Sequence, residues 1–450
     1  MNLYFQAKIK PIAWIVFLFL TFAITSCSDN QYIDSIPGNC TALMSIDAQK
    51  VKGVDAEHIL KSLLPINNIS DCGIDFKSKI YLFETADGNI GICARLKDSD
   101  KYEDTLSKAK KTEYANAKTK SGINFVMIND AWLSGHNDNT LMLLGPITLS
   151  ARGETENVMV RYFGQDESVG ITHSLLFARI DTLDSPISLV ARMSSLPEKF
   201  AAPFTLGMPK DADASQVLLS AKLTFKDKTL KIEGETFSNN PKTDNALKEA
   251  YKGFRPISNK LISCFRKNQC MGFYMNVEGS SFLSLLQCNK EFQAMLAGLN
   301  TAIDMNMIIK SIEGDFAITV PAFTGDNIPI SVAAKTSNSN WLKDVDYWKQ
   351  SCPAGSKIVD SGKNAFCYKS GNTSFVFGVS ADNMFYSGRN MQEAKNSIIV
   401  SADALPKQLI NDVVGKRMAM LVNIGAISNN DTSVAKLLKN KLNYILYYMK

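Results

Sequence analysis

The stretch "IGICARLKDSDKYEDTL", residues 90–106, is informative about the architecture because a distant part of the chain has a similar pattern. That part is "ISVAAKTSNSNWLKDVD", residues 330–346, where an apolar run, a polar turn and an acidic segment come in the same order. Ala94 aligns with Ala334. Self-similarity of this kind indicates an internal repeat, and it constrains the architecture before any single element is assigned.

Three further pairs of stretches repeat in the same order along the chain. They are "NCTALMSID" (39–47) with "QCMGFYMNV" (269–277), "KSKIYLF" (77–83) with "EGDFAIT" (313–319), and "INFVMINDAWLSGHNDNTLMLLG" (123–145) with "AFCYKSGNTSFVFGVSADNMFYSG" (365–388). The separation between partners grows along the chain, as loop insertions in one copy would require. The repeat therefore predicts two related lobes.

The periodicity inside the repeated stretches predicts an α+β fold. Short apolar or alternating runs such as "ALMSID" and "KIYLF" are typical of strands. Between them, "DAEHILKSLL" (55–64) has the spacing of an amphipathic helix, and "SDKYEDTLSKAKK" (99–111) ends in lysines that suit the helix dipole. We expect each lobe to be a mainly antiparallel twisted sheet with helices packed on one face.

The middle of the chain predicts an extension of the first lobe. "SLLFARID" (174–181) and "PISLVARM" (186–193) are interpreted as strands, and 215–237 as a closing hairpin. The second copy has no such hairpin, because its matching piece is followed by the helical-looking "SVAKLLKNKLNYILYYMK" (433–450). We therefore expect a shorter second sheet, whose bare edge the last helix or the first lobe covers, or which docks a partner strand.

The domain boundaries follow from these patterns. They are a signal peptide over 1–26, a tether over 27–38, a first lobe over 39–250 and a second lobe over 251–450.

The N-terminal residues predict export and lipid attachment. Lys8 and Lys10 precede the apolar run 11–25 and the small residue Ser26, which is the order of regions in a secretory signal. The apolar run is shorter than the roughly 20 residues that a membrane-spanning helix needs. The motif "ITSC" resembles the bacterial lipobox, in which the cysteine, here Cys27, is acylated and becomes the first residue. The alternative is a retained anchor helix.

Charge and cysteine content restrict the function classes. The formal net charge is +5, and it falls by two lysines to +3 when residues 1–26 are removed, so nucleic-acid binding is not expected. Eight of the nine cysteines remain in the mature chain, an even number that permits disulfides without deciding their pairing. Candidate pairs are Cys264 with Cys270 and Cys352 with Cys367, while buried thiols are the alternative.

The start of the mature chain is similar to that of a known family. A lipobox followed by "YIDSIPGNCTALMSID", "GIDFKSKIYLFE", "ARLKDSDKYEDTL" and "AWLSGHNDNTLMLLGP" resembles an uncharacterised family of Bacteroidetes envelope lipoproteins. The resemblance covers essentially the whole mature chain. It implies a lipid-anchored protein of the cell envelope, most simply at the outer membrane, and leaves the periplasmic face or the cell surface open. It implies no activity, substrate or catalytic residue.

A search for chemistry in the sequence finds no catalytic motif. The histidines at 58, 136 and 173 lack zinc spacing, and Ser107 with Lys110 satisfies S-x-x-K only at the end of a polar helix. We predict no metal, cofactor or catalytic residue. Trp132 and His136 flank a polar hairpin loop and are the candidate ligand or partner surface, with packing of the tryptophan as the alternative. Trp341 and Trp348 are expected in the core.

Two function classes remain. The first is a non-catalytic binding or scaffolding module, tethered by lipid near an envelope protein or glycan partner. The second is an envelope hydrolase acting on glycan or peptide, with a site assembled from sequence-distant residues. The absence of a recognisable nucleophile, base or metal cluster favours the first. Neither the ligand nor the oligomeric state follows from the sequence.

Overall fold

The structure is a computed structural model. It describes residues 31–51, 71–109, 112, 117–195, 204, 206, 208, 213–288, 293, 296, 297, 300–322, 329–371, 373–427 and 442–450. Compactness divides the chain into a first unit that ends at Val190 and a second that begins at Ala191. This division does not coincide with the predicted lobe boundary at residues 250 and 251, because the hairpin predicted to close the first lobe lies in the second unit.

The first unit contains a mainly antiparallel sheet. Its described strands are β1 (Ala42–Ile46), β2 (Ile80–Glu84), β3 (Ile90–Arg95), β4 (Lys118–Lys120), β5 (Ile123–Ile128), β6 (Trp132–His136), β7 (Thr140–Gly145) and, for its residues 187–190, β8 (Ile187–Arg192). They pair in the order β8-β1-β2-β3-β7-β6-β5-β4. Each neighbouring pair from β1 onward is antiparallel.

The described helices of the first unit are α1 (Gln31–Asp34), α2 (Ser99–Lys108), α3 (Arg152–Phe163) and α4 (Leu175–Asp181). The strand predicted over 174–181 was wrong, because this segment is α4. Ser174 caps the helix by accepting a hydrogen bond from the Phe177 amide, and Leu176 and Ile180, four residues apart, are buried. The helix predicted over 55–64 lies outside the described residues.

Helices cover both faces of the first sheet, which corrects the expectation of a single covered face. Adjacent residues of a strand point to opposite faces. On β6, the hydroxyl of Ser134 lies 3.1 Å from that of Tyr102 in α2. A Cβ on the next residue, Gly135, would lie 2.8 Å from the Met159 side chain in α3. The sheet is therefore a buried middle layer at this point.

Residues 31–38, within the segment predicted as a tether, pack into the first unit. Tyr32, Ile33 and Ile36 are buried. The hydroxyl of Tyr32 donates to the carbonyl of Lys79 over 2.9 Å. This part of the segment is therefore held in place and does not act as free chain.

The second unit contains a longer sheet. Its described strands are β9 (Val217–Lys226), β10 (Thr229–Ser238), β11 (Met271–Glu278), β12 (Ile312–Val320), β13 (Ser331–Thr336), β14 (Ser356–Gly362), β15 (Ala365–Ser370), β16 (Thr373–Val379), β17 (Met384–Gly388), β18 (Met418–Asn423) and β19 (Tyr444–Met449). Its described helices are α5 (Pro241–Lys252), α6 (Gly279–Cys288), α7 (Met305–Lys310), α8 (Val345–Ser351), α9 (Met391–Asn396) and α10 (Lys407–Val413). Together with the first unit, these elements confirm the predicted α+β fold.

The strand order of the second unit corresponds to that of the first. The strands pair as β18-β11-β12-β13-β17-β16-β15-β14, all antiparallel. In this series β18 takes the position of β8, β11 that of β1, and β14 that of β4. The repeated stretches of sequence therefore lie on strands with the same neighbours.

The end of the chain is a strand, so the terminal helix predicted over 433–450 was wrong for residues 444–449. Strand β19 pairs antiparallel with β18 and parallel with β10, and β10 pairs with β9. The predicted bare edge of the second sheet is wrong for the same reason, since β19 covers the outer edge of β18. Aromatic and β-branched residues in "YILYYM" favour a strand.

Both faces of the second sheet are buried, because alternate residues enter different cores. On β11, Met275 packs in a cluster that contains Trp341 and Trp348. Its neighbour Tyr274 packs in another cluster that contains Leu409 of α10. The expectation that helices cover only one face is therefore wrong in this unit too.

Candidate functional site

His136, one half of the predicted ligand surface, is buried. Its side chain is 2% exposed, and its Nε2 lies 3.1 Å from Oε1 of Glu103 in α2. Trp132 on the same strand is half-buried, and a Cβ on Gly145 would lie 2.8 Å from its ring. The two side chains therefore do not present a joint open surface.

A polar cluster surrounds His136 in the first unit. Asn124 Nδ2 donates to Glu103 Oε1 over 2.5 Å, and the Thr119 hydroxyl donates to Asn124 Oδ1 over 2.7 Å. The ring of Tyr102 meets the imidazole edge-on at 5.1 Å. Burial lowers the pKa of His136 against the opposing effect of Glu103, so the neutral imidazole is favoured.

Within the described residues, the contacts of this cluster do not pair His136 with a nucleophile. A nucleophilic site needs a hydroxyl or thiol within hydrogen-bond reach of the base. Among the contacts of the described residues, the His136 side chain hydrogen-bonds only to Glu103, and its Nδ1 is buried without a partner. The nearby Ser134 hydroxyl is hydrogen-bonded to Tyr102. These contacts join α2 to β6.

The other residues considered in the sequence are dispersed or lie outside the described ranges. His173 is exposed in a 3-10 turn, and the Ser107 hydroxyl donates to the carbonyl of Asp104. Cys27, His58 and Lys110 lie outside the described residues. Within the described part of the chain, no group of three or more His, Cys, Asp or Glu side chains could hold a metal ion.

Neither candidate disulfide is formed. Cys264, Cys352 and Cys367 have thiol groups. The Cys264 thiol donates to the carbonyl of Lys260 over 3.3 Å, whereas the Cys270 thiol donates to that of Ala426 over 3.2 Å. The two sulfur atoms are thus directed to different acceptors.

Trp341 and Trp348 lie in the core, as predicted. They are 1% and 4% exposed, and their rings stack at 6.0 Å with an interplanar angle of 5°. Trp341 belongs to a 3-10 turn over Asn340–Asp344 and Trp348 to α8.

An open groove in the second unit gathers polar side chains from three distant segments. It has a volume of about 230 Å³ and lies between the β9–β10 turn, the start of β19 and helix α10. Sequence analysis missed it because no local motif marks it. The nearest signal is the pair of charged residues, Asp227 and Lys228, in a tight turn where asparagine and glycine are usual.

The β9–β10 turn holds Asp227 at the rim of the groove. Asp227 and Lys228 have φ angles of 51° and 55°, the positive values that the two central residues of a tight hairpin turn adopt. The carbonyl of Lys228 accepts hydrogen bonds from the amides of Asn443 (2.7 Å) and Tyr444 (3.3 Å). These bonds fix the turn to β19.

One side of the groove contains a compensated ion pair. Lys231 Nζ lies 2.6 Å from Asp412 Oδ2, and each side chain is only 18% exposed. Gln408 Nε2 also donates to Asp412 Oδ1 over 3.3 Å. The charges of Lys231 and Asp412 therefore offset each other within the groove.

The remaining lining combines unengaged polar groups with an apolar wall. Among the described residues, none hydrogen-bonds or pairs with the side chains of Lys226, Asp227 or Asn443. Leu409, which is 4% exposed, and the half-buried Tyr444 also line the groove. Burial raises the pKa of Tyr444, which keeps the phenol neutral. Such a groove can bind a small ligand through hydrogen bonds and one apolar contact.

No helix among the described residues is long and apolar enough to cross a membrane.

Comparison with known proteins identifies the family. Residues 43–427 match the family model described as "Domain of unknown function (DUF4836)". This range is most of the chain, so the chain belongs to the DUF4836 family. No curated protein matches the sequence. A solved structure, "Structure of crystal form IV of TP0453", is 9% identical and covers 44% of this chain and 76% of its own, with a TM-score of 0.27. That similarity is too low to support an argument about fold or function.

Proposed function

We propose that this DUF4836 protein is a lipid-anchored protein of the bacterial cell envelope that acts as a non-catalytic binding module. Its ligand contact is the groove between the β9–β10 turn, β19 and α10. The order of regions in residues 1–26 and the lipobox-like "ITSC" support export and lipid attachment at Cys27. The sequence resemblance to Bacteroidetes envelope lipoproteins supports the outer membrane as its location.

The observation that carries the binding role is the state of the charged groups in the groove. A catalytic acid or base needs a free proton position directed at a substrate. Lys231 and Asp412 are instead paired at 2.6 Å, while the exposed rim offers Asp227 and Asn443 for hydrogen bonds. A site with compensated charges and unengaged polar groups is suited to recognition.

We further propose that the two units arose by duplication of one α+β lobe. Four stretches of sequence repeat in order, and the strands that carry them have corresponding neighbours in the two sheets. On this proposal β9, β10 and β19 are additions to the duplicated lobe. The groove formed by the additions would then be specific to the second copy.

The binding role is tested with the full-length protein extracted from its native membrane and immobilised. The wild type should retain envelope polymers or proteins from a detergent-solubilised envelope fraction, and Asp227→Ala with Asn443→Ala should lose most of them. Asp130→Ala is the matched control, because Asp130 is an exposed residue of a tight turn with a φ of 56° outside the groove. Equal retention by the wild type and the double variant would contradict a binding role for the groove.

A further inference from the structure

We propose that the ligand of the groove is a neutral sugar residue, which stacks against Tyr444 and whose hydroxyls bind Asp227 and Asn443. This inference rests on the proposed binding function and names its ligand class. A groove of about 230 Å³ lies below the roughly 300–1,000 Å³ of drug-sized pockets. It therefore takes one ring-sized group, either a small molecule or one residue of a polymer.

The charges around the groove favour a neutral ligand. Lys231 and Asp412 neutralise each other at 2.6 Å. The remaining charges of the lining, on Lys226 and Asp227, are adjacent in the chain, opposite in sign and exposed. The charges that act on the Tyr444 phenol, on Lys267 and Asp403, are paired with each other at 2.7 Å. Exposed ion pairs contribute only about 0–1 kcal/mol, so an anion, a cation or a zwitterion would gain little here and would lose hydration.

The polar groups favour a ligand that has several hydroxyls. The Asp227 carboxylate only accepts hydrogen bonds, the Lys226 ammonium only donates them, and the Asn443 amide does both. All three side chains are unengaged within the described residues. A hydroxyl donates and accepts, so a set of neighbouring hydroxyls on one ring can satisfy all three.

The aromatic wall favours a ring that also has an apolar face. Tyr444 is held by its backbone amide, which donates to the Lys228 carbonyl, and it packs against the core cluster that contains Leu409. A ring fixed in this way loses little conformational entropy when a ligand stacks on it. The C–H face of a pyranose matches such a surface, whereas a dipeptide backbone does not.

The test is calorimetric titration of the full-length protein with short neutral hexose oligosaccharides. Parallel titrations use uronic-acid oligosaccharides as anionic probes and dipeptides as zwitterionic probes. We expect binding of at least one neutral set and weaker or no binding of the other probes. Asp227→Ala should weaken binding about tenfold or more, because it removes a hydrogen bond to a charged acceptor.

Two variants of the aromatic residue separate stacking from hydrogen bonding. Tyr444→Phe keeps the ring and should bind nearly as well as the wild type, whereas Tyr444→Leu should bind much more weakly while far-UV circular dichroism at the assay temperature shows that it is still folded. Asp130→Ala should bind as the wild type does. Equal binding by Tyr444→Leu and Tyr444→Phe would overturn the stacking arrangement.

The outcomes distinguish the ligand class from the binding function. Preferential binding of uronic acids or dipeptides would overturn the sugar proposal and leave the groove as a binding site. A second outcome would also overturn the sugar proposal and leave the groove as a binding site. In it, no oligosaccharide binds, but the wild type retains envelope components that the double variant, Asp227→Ala with Asn443→Ala, does not retain. If neither experiment detects binding, both proposals are refuted.

Discussion

Replacing Gly234 with alanine should destabilise the second unit, because this glycine lies directly beneath a tyrosine of the C-terminal strand. A Cβ at position 234 would lie 2.2 Å from Cε2 of Tyr447 and 2.6 Å from its hydroxyl oxygen. The Tyr447 ring is 3% exposed and meets the ring of Phe204 edge-on at 4.9 Å. It therefore has little room to move away.

The expected size of this effect follows from the cost of overpacking a core. Adding a methyl group to a well-packed site typically costs about 1–3 kcal/mol, which lowers the melting temperature of a unit of this size by on the order of 2–10 °C. Thermal unfolding and urea unfolding followed by far-UV circular dichroism measure both quantities. Gly253→Ala is the control, because its added Cβ would meet no heavy atom closer than 3.4 Å.

A double-mutant cycle tests whether the steric clash is the cause. Tyr447→Ala alone should cost about 3–5 kcal/mol through loss of a large buried ring. The double variant should lose less unfolding free energy than the two single variants together, by about 0.5–3 kcal/mol, since the ring that clashes is gone. Wild-type stability of Gly234→Ala, or strict additivity in the cycle, would refute the packing of β19 against β10.

Three further predictions concern the polar cluster, the aromatic core and the anchor. Burial lowers the pKa of His136, so below pH ~6.5 the unfolded chain binds the proton more readily than the folded chain does. The free energy of unfolding in urea should therefore fall between pH 7 and pH 5, and it should fall less in His136→Gln. Trp341→Ala should cost about 3–5 kcal/mol and abolish the near-ultraviolet dichroism of its stack on Trp348, whereas an unchanged spectrum would contradict that stack. Cys27→Ala should move the protein from the membrane to the soluble fraction, and mass spectrometry of the wild type should find an acylated Cys27 at the N-terminus; an unmodified chain beginning at Met1 would refute lipidation.

The sheets could be predicted from the sequence where periodicity is strong. The alternation in Ala42–Ile46 and the continuous apolar run in Thr140–Gly145 mark strands that the structure contains, and the burial of Trp341 and Trp348 follows from their spacing. Short apolar runs are ambiguous between helix and strand. Residues 174–181 are such a run. The Ser174 cap and the apolar pair Leu176 and Ile180, four residues apart, favour the helix that the structure contains.

The chain end was harder to predict because its fate depends on distant pairing. The sequence before Tyr444 has helical spacing, and the helix that it predicts continues through "YILYYM". Strand propensity depends on neighbours, and the neighbours of β19 are β10 and β18. Neither is close to it in sequence. The polar role of His136 was missed for a similar reason, since its partner Glu103 lies on α2 and no local pattern links the two residues.

The parallel pairing of β10 with β19 also explains why the groove exists. Parallel strands begin at the same end and need a long connection, so Thr229 comes to lie beside Tyr444, and the β9–β10 turn beside Asn443. Helix α10, which precedes β18, brings Asp412 to the same place. The side chains of Lys226 and Asp227 take no part in the described hydrogen bonds that hold this junction together. If the groove binds a ligand as proposed, substitutions at these two exposed positions should change its specificity more than the pairing of the strands.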